Sequence, residues 1–432
     1  MIDAKVMLWG RLIGAVTWLE DREVGVFQYS PDFVTSEIQV APLMMPLTEF
    51  PYEFPALPRN TFRGLPGLLA DSLPDKFGNA IIDAWLASQG RAASSFNPVE
   101  RLCYIGHRGM GALEYEPAIH EPRSEYSEIE VAALVDLANR ILDERTNLQG
   151  FLTGTDDKKA MEDILRVGTS AGGARAKAIL VWNPQTNEFR SGQVNAEDGF
   201  EHWLLKFDGI RNNRDKELSD PLGYGKIEYA YYLMAVDAGI QMTKCRLHHE
   251  GGRSHFMTKR FDRVGIGNKL HMQSLGALAH FDYNQPLSYS YEQALNVMKR
   301  MGLPRVDLEQ QVQRAFFNVI GHNHDDHVKN ISCLMNKRGE WELSPAFDVT
   351  YSFDPNGAWT NQHQMSINGK RKNFSRNDLL SLANTSGIKE AQGNFLIDKT
   401  ISVINNWPEY AEKAEVNKSQ IIEIQNNQRI DL

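Results

Sequence analysis

Residues Gly321 to Asn330, GHNHDDHVKN, put three histidines and two aspartates directly after an apolar helical run. At a helix end such residues are often solvated caps. This many ionisable groups beside apolar neighbours, however, must find partners wherever they are buried. A metal cluster needs ligands that converge on one point. A His-Asp phosphohydrolase adds a distant upstream His and a downstream Asp to its HD pair, and the upstream helical region offers no such His. A kinase catalytic loop makes a sharper demand: a base Asp, a metal-binding Asn five positions later, and a second metal-binding Asp beyond a short hairpin. Asp325 and Asn330 have that spacing, and Asp348 lies in SPAFDVTYS, just past a hairpin read over Cys333 to Leu343. The chemistry needs this set because a γ-phosphate spreads negative charge. Hard oxygen ligands hold the metal while a carboxylate orients the attacking hydroxyl.

Phosphoryl transfer also requires a strand lysine for the nucleotide phosphates, paired with a helical acid. HWLLKF ends an apolar strand with Lys206, and Glu228 falls in the first turn of the helix that follows. The plainer alternatives are a surface lysine on an edge strand and a dipole partner at a helix N-terminus. A loop over the phosphates is the remaining need. VGTSAGGARAKAIL supplies Gly168, Gly172 and Gly173 with Ser170 and Lys177 just before a strand, although the Walker A pattern GxxxxGK[ST] is absent from the chain. Small residues permit close backbone approach to phosphate; otherwise the stretch is a flexible connector. The glycines at 106, 109 and 111 read as a tight turn before a strand rather than a second such loop.

The elements that must position these residues follow from periodicity. Apolar–polar alternation around Gly10, Gly14 and Gly25 predicts a small antiparallel sheet, and an amphipathic helix runs from about Asp75 to Ser88. After a Pro-bearing polar stretch near 116–125 come helical patterns at about 127–143 and 157–165. AKAILVWNPQTNEF is strand, turn and strand, with the turn at Asn183 to Asn187. KIEYAYYLMAVDAG is a helix closed by Gly239, and KCRLHHEGGRSHFMTKRFDR a hairpin turning at Gly251-Gly252. Beyond about 275 helices dominate, including 306–320 with Leu308, Val312, Phe316 and Val319 inward. The expected fold is α+β and bilobal, protein-kinase-like, with a small β-rich N-terminal subdomain over 1–120. The rest of the N-lobe, with the glycine loop and the lysine, spans 121–260, and a mostly α-helical C-terminal lobe with the catalytic loop spans 261–432.

Bulk properties narrow the partners. With 432 residues, two or three domains are expected. A formal charge of −9 argues against unaided DNA binding. Cys103, Cys245 and Cys333 form no CxxC pair, which fits a reducing compartment without structural zinc. No apolar run reaches the ~18 residues of a membrane span and no signal peptide is visible, so a cytoplasmic location without membrane contact is expected.

With these pieces in order the chain resembles the HipA family of bacterial toxin serine/threonine kinases. SAGGARAK, WLLKF, KRFDR, DDHVKN and LSPAFDV carry the match, and FRGLPGLLADSLPDKFG and IGHRGMGALEYEP look like that family's N-terminal subdomain. The resemblance covers roughly 5 to 400. It implies ATP and Mg²⁺ as cofactors, Asp325 as catalytic base, and Asn330 and Asp348 as metal ligands. It further implies Lys206 on the phosphates, the segment Met257 to Phe261 (with Lys259) along the adenine, and His327 and Glu228 at the nucleotide. Inhibitory autophosphorylation would fall on Ser170, or on neighbouring Thr169; the added charge among phosphate-binding groups repels ATP. The implied partners are a small helix-turn-helix antitoxin of the HipB type, operator DNA through that antitoxin, and a protein substrate such as an aminoacyl-tRNA synthetase. A small-molecule kinase and a non-catalytic co-repressor scaffold are the alternatives. Asp326 departs from the family pattern, and its expected place is as a spare metal ligand or on the solvent side.

Overall fold

The computed structural model describes residues 2–119, 129–143, 164–165, 168, 175–192, 197–210, 222–265 and 267–432. At the N-terminus β1 (Ile2–Leu8), β2 (Arg11–Leu19), β3 (Val24–Tyr29) and β4 (Leu113–Glu116) form an antiparallel sheet in the order β3-β2-β1-β4. The alternation read from the sequence produces it: Ala4, Val6 and Leu8 turn inward from β1 against Leu65, Leu68 and Leu102. Between β3 and β4 come α1 (Lys76–Ser88), N-capped by Asp75, and α2 (Pro98–Ile105), opened by an Asn97–Glu100 capping box. The helix α3 (Val131–Asp143) follows; of the helical pattern at 157–165, only 164–165 lie among the described residues, and both are helical.

The middle of the chain builds a second sheet from β5 (Lys177–Trp182), β6 (Phe189–Ser191), β7 (Glu201–Lys206), β8 (Cys245–Glu250) and β9 (Arg253–Lys259), ordered β6-β5-β7-β9-β8. Gly251 and Gly252 both take positive φ (55° and 77°), as the two-residue β8–β9 turn requires. One face of this sheet carries Ala178, Leu180, Trp203, Leu205 and Met257 into a core shared with Phe77, Ile81 and Val135 of α1 and α3. The opposite face carries Lys177, Leu204, Lys206 and Phe256, since Lys177 pairs Lys206 and Lys206 pairs Phe256 in the register.

The helix α4 (Tyr224–Ala238) leaves this sheet and joins the C-terminal core, burying Ile227, Tyr231, Met234 and Ala238 as the periodicity predicts. Gly239 closes it at φ 96°. In that core lie α5 (Tyr291–Arg300) and α6 (Arg305–Ile320), with Leu308, Val312, Phe316 and Val319 all buried. A small sheet of β10 (His271–Ser274), β11 (Ser332–Met335) and β12 (Trp341–Leu343) supplies the hairpin between the two candidate metal ligands. Four helices finish the chain: α7 (Arg376–Thr385), α8 (Glu390–Asn405), α9 (Trp407–Lys413) and α10 (Lys418–Asn427). The architecture is α+β, β-rich first and mostly helical after. No helix among the described residues is long and apolar enough to cross a membrane.

Candidate active site

The polar face of the middle sheet and the loop after α6 border a cleft open to solvent. Leu204, Phe256, Phe261, Phe347 and the methionines 110, 242 and 272 give it apolar walls, while Lys177, Lys206, Lys259, Arg260 and Lys329 bring cationic side chains to it. Asn330 and Asp348 line it as well, and both also border an adjoining cavity that holds Asp325, Asp326 and His327. Residues separated by some 170 positions thus meet at one place because Lys177, Lys206 and the loop after α6 face each other across the cleft.

Lys206 is almost fully buried. Its ammonium lies 2.5 Å from Glu228 Oε1 and also hydrogen-bonds Asp348. Burial works to lower its pKa, but the attraction of Asp348 and Glu228 outweighs that penalty and the ammonium is raised above its ordinary value. Glu228 Oε2 in turn meets Arg175 Nη1 at 3.3 Å, and that guanidinium stacks 3.4 Å from the Tyr224 ring centroid. The dipole-partner alternative for Glu228 therefore fails: the residue sits in the second turn of α4, is 1% exposed, and is held by two cations. Asp348 adopts φ 53°, a left-handed conformation that Asp tolerates better than most residues and that costs about 1–3 kcal/mol where it occurs.

The catalytic-loop candidate starts where α6 ends at Gly321. His322 takes φ 54° and turns the chain, after which Asn323 bridges Ser352, and His324 N donates to Ser352 O at 3.0 Å. The loop is thereby stitched to the segment that follows Asp348. Asn330 Nδ2 donates to Asp325 O at 2.9 Å, so the two residues that the spacing singled out are tied together. His327 caps the short turn Val328–Asn330 through Nδ1, and its Nε2 lies 3.6 Å from Asp325 Oδ1. The indole of Trp359 donates to that same Oδ1 at 2.9 Å.

Two residues stand where the sequence reading does not put them. Asp326 is neither at the solvent nor a spare metal ligand. It is 4% exposed and accepts hydrogen bonds from Tyr291 Oη (2.8 Å) and Gln364 N (2.8 Å), with His363 Nδ1 at 2.9 Å. Burial pushes its carboxyl well above the usual carboxylate range against those hydrogen bonds, and burial lowers His363 to about 3. His322 and His324 stack on each other, meet Phe353 edge-on, and are lowered to about 2, chiefly by burial. Neutral, packed rings of this kind make a scaffold. Met257 is fully buried on the far face of β9, so its side chain does not reach the cavity. Its neighbours Phe256, Thr258, Lys259 and Phe261 do. Lys259 reaches the cavity edge while its ammonium pairs with Glu201 at 2.7 Å. Thr169, Ser170, Gly172 and Gly173 lie outside the described residues.

The sequence reading missed Lys329, Trp359 and two acids of the N-terminal part. Asp75, the N-cap of α1, pairs with Lys177 at 3.2 Å with both side chains 4% exposed. Asp71 binds Ser274 through N (2.7 Å) and Oγ (2.8 Å) and stands 4.0 Å from Lys329. The run DSLPD thus touches lysines on both sides of the cleft. Its two acids, spaced either side of a Leu-Pro, were the available signal.

Comparison with known proteins agrees with this architecture. Residues 169–407 match the HipA-like C-terminal domain and residues 4–116 the HipA N-terminal domain. The chain belongs to the HipA family. A Sinorhizobium fredii protein named "Putative kinase Y4mE" is 23% identical over 350 residues, covering 79% of this chain and 75% of that one. A chain of the Shewanella oneidensis MR-1 toxin–antitoxin complex of HipA, HipB and operator DNA superposes with a TM-score of 0.67 at 16% identity, over 98% of this chain and 95% of that one. That likeness is one of fold.

Proposed function

We propose that the chain is an ATP- and Mg²⁺-dependent protein serine/threonine kinase, the toxin of a toxin–antitoxin pair. The observation that carries the reading is the convergence of Lys206–Glu228, Asp348 and Asn330 on one apolar-walled cavity, with Asp325 tied to Asn330 beside it. Adenine fits the apolar walls, and the phosphates would meet Lys206, Lys177 and Lys329. Asp325 accepts the proton of an incoming serine or threonine hydroxyl as its oxygen bonds to the γ-phosphorus. The bond from that phosphorus to the bridging oxygen breaks, and ADP leaves with the electron pair.

The donor set suits Mg²⁺. Asp348 offers carboxylate oxygen, and Asn330, its Nδ2 engaged by Asp325 O, keeps its amide oxygen for a cation. Bound there, the metal would neutralise charge on the phosphates. Inhibitory autophosphorylation is assigned to Ser170, with Thr169 as the neighbouring acceptor. A small helix-turn-helix antitoxin is the proposed partner and would bring the basic surface that a chain of charge −9 lacks for operator DNA. A translation-related protein such as an aminoacyl-tRNA synthetase is the proposed substrate, in a cytoplasmic setting.

Transfer from γ-labelled ATP into a bacterial lysate, by wild type and by Asp325→Asn, tests this reading. Label in discrete proteins with the wild type alone supports it. Label confined to small molecules moves the assignment to a small-molecule kinase.

A further inference from the structure

Asp325 is one corner of a closed hydrogen-bonded circuit. Its Oδ1 accepts from Trp359 Nε1 at 2.9 Å, and the Trp359 carbonyl accepts from the Gln364 side-chain amide. The Gln364 backbone N–H donates to Asp326 Oδ1 at 2.8 Å, and Asp326 is the covalent neighbour of Asp325. The circuit is anchored to the helical core from two sides. Tyr291 Oη donates to Asp326 Oδ2 and accepts from Asn318 Nδ2 at 2.9 Å, while His363 Nδ1 stands 2.9 Å from the same Oδ2. Asn318 Oδ1 then holds Asn323 Nδ2 at 3.0 Å, back in the loop.

A carboxylate left alone rotates broadly about its last torsion. Here one oxygen is pinned by an indole N–H whose own backbone is pinned by the partner of the next residue. The geometry points to Trp359 and Asp326 as positioning residues for the proposed base: Trp359 fixes Oδ1 so that Oδ2 faces the incoming hydroxyl, and Asp326 fixes Trp359 by holding Gln364. Trp359, Gln364, Asp326 and Tyr291 do not line the nucleotide cavity, so loss of their hydrogen bonds acts on turnover more than on nucleotide affinity.

This inference rests on the kinase reading, and the test separates the two. Trp359→Phe keeps the ring and removes the N–H; Asp326→Leu keeps the approximate volume and removes the acceptor for Gln364. Each is compared with wild type and Asp325→Asn for kcat and KM for ATP. The expected result is a kcat about 10–100-fold lower, the loss that a small misplacement of a catalytic group produces. KM for ATP should stay within about twofold of wild type, as an interaction made only at the reacting centre implies. An active wild type with a Trp359→Phe variant unchanged in kcat overturns the inference and leaves the kinase reading standing, whereas a wild type that transfers no phosphate sinks both. A second measurement is independent of turnover. The indole N–H resonance missing from Trp359→Phe should shift in Asp325→Asn relative to wild type, and a resonance unmoved by that substitution overturns the inference even where a variant folds poorly.

Discussion

Replacing Lys206 by Met tests the electrostatic centre of the site. Removing one charge-stabilising donor from a transition state costs about 10²–10³ in rate, roughly 2.7–4 kcal/mol, and Lys206 is assigned that part for the phosphates. The fold should survive. Breaking a buried ion pair costs about 3–5 kcal/mol when the surviving charge is stranded, yet here Glu228 keeps Arg175 at 3.3 Å, and Asp348 is 27% exposed and reaches water. A loss near or below the low end, about 2–3 kcal/mol, is therefore expected. The assay pairs denaturant unfolding by circular dichroism with kcat/KM for ATP. A folded Lys206→Met within about threefold of wild type refutes the role, since a lost transition-state donor must cost more. A variant that does not fold refutes the compensation by Arg175. The raised pKa adds a sign. The folded ammonium titrates above the unfolded one, so its contribution to stability is complete below the ordinary lysine value and disappears only as pH rises past it. No activity limb from Lys206 is expected between pH ~6 and ~9.

Two further predictions come from the surroundings of the site. Asp75→Asn keeps the N-cap to Gly78 but strands Lys177 in the cleft, which should cost about 3 kcal/mol, and ATP should raise the variant's melting temperature more than the wild type's because phosphate replaces the lost carboxylate. Equal ATP-induced shifts would contradict that. His322, His324 and His363, lowered to about 2, 2 and 3, remain neutral in the folded state while the unfolded chain takes up protons below pH 6.5. Stability should then fall as pH drops from 6.5, by about 2 kcal/mol for each ring at pH ~5, read as urea midpoints at pH ~7 and ~5. A flat profile would argue that the rings are charged or exposed.

Spacing alone singled out Asp325, Asn330 and Asp348 as candidates, and the structure brings them to adjoining cavities because the loop and its hairpin are local in sequence. Lys206 was legible from the apolar strand that it ends. Its pairing with Glu228 followed from the neighbouring helix, although the double hold by Lys206 and Arg175 could not be read without the sheet register. Asp326 was misplaced for a physical reason: its partners Tyr291, His363 and Gln364 lie 35 to 38 positions away, and no local pattern signals a buried acceptor. Met257 was misassigned as part of a cavity-lining segment. Alternation along β9 sends Phe256 and Thr258 to the cavity and Met257 to the opposite core, a consequence of the Lys206–Phe256 register that only pairing reveals. The reach of Asp71 and Asp75 into the cleft depends on the packing of α1 against the middle sheet, which is tertiary information throughout.

The most direct test of the central claim is the intact mass of purified protein incubated with and without Mg²⁺-ATP, for wild type and for Asp325→Asn. The account predicts a single added phosphate on the wild type alone, mapping to Ser170 or its neighbour Thr169. An equal phosphate load on both proteins would contradict the role of Asp325, and no phosphate on either despite measurable ATP binding would contradict the protein-kinase assignment.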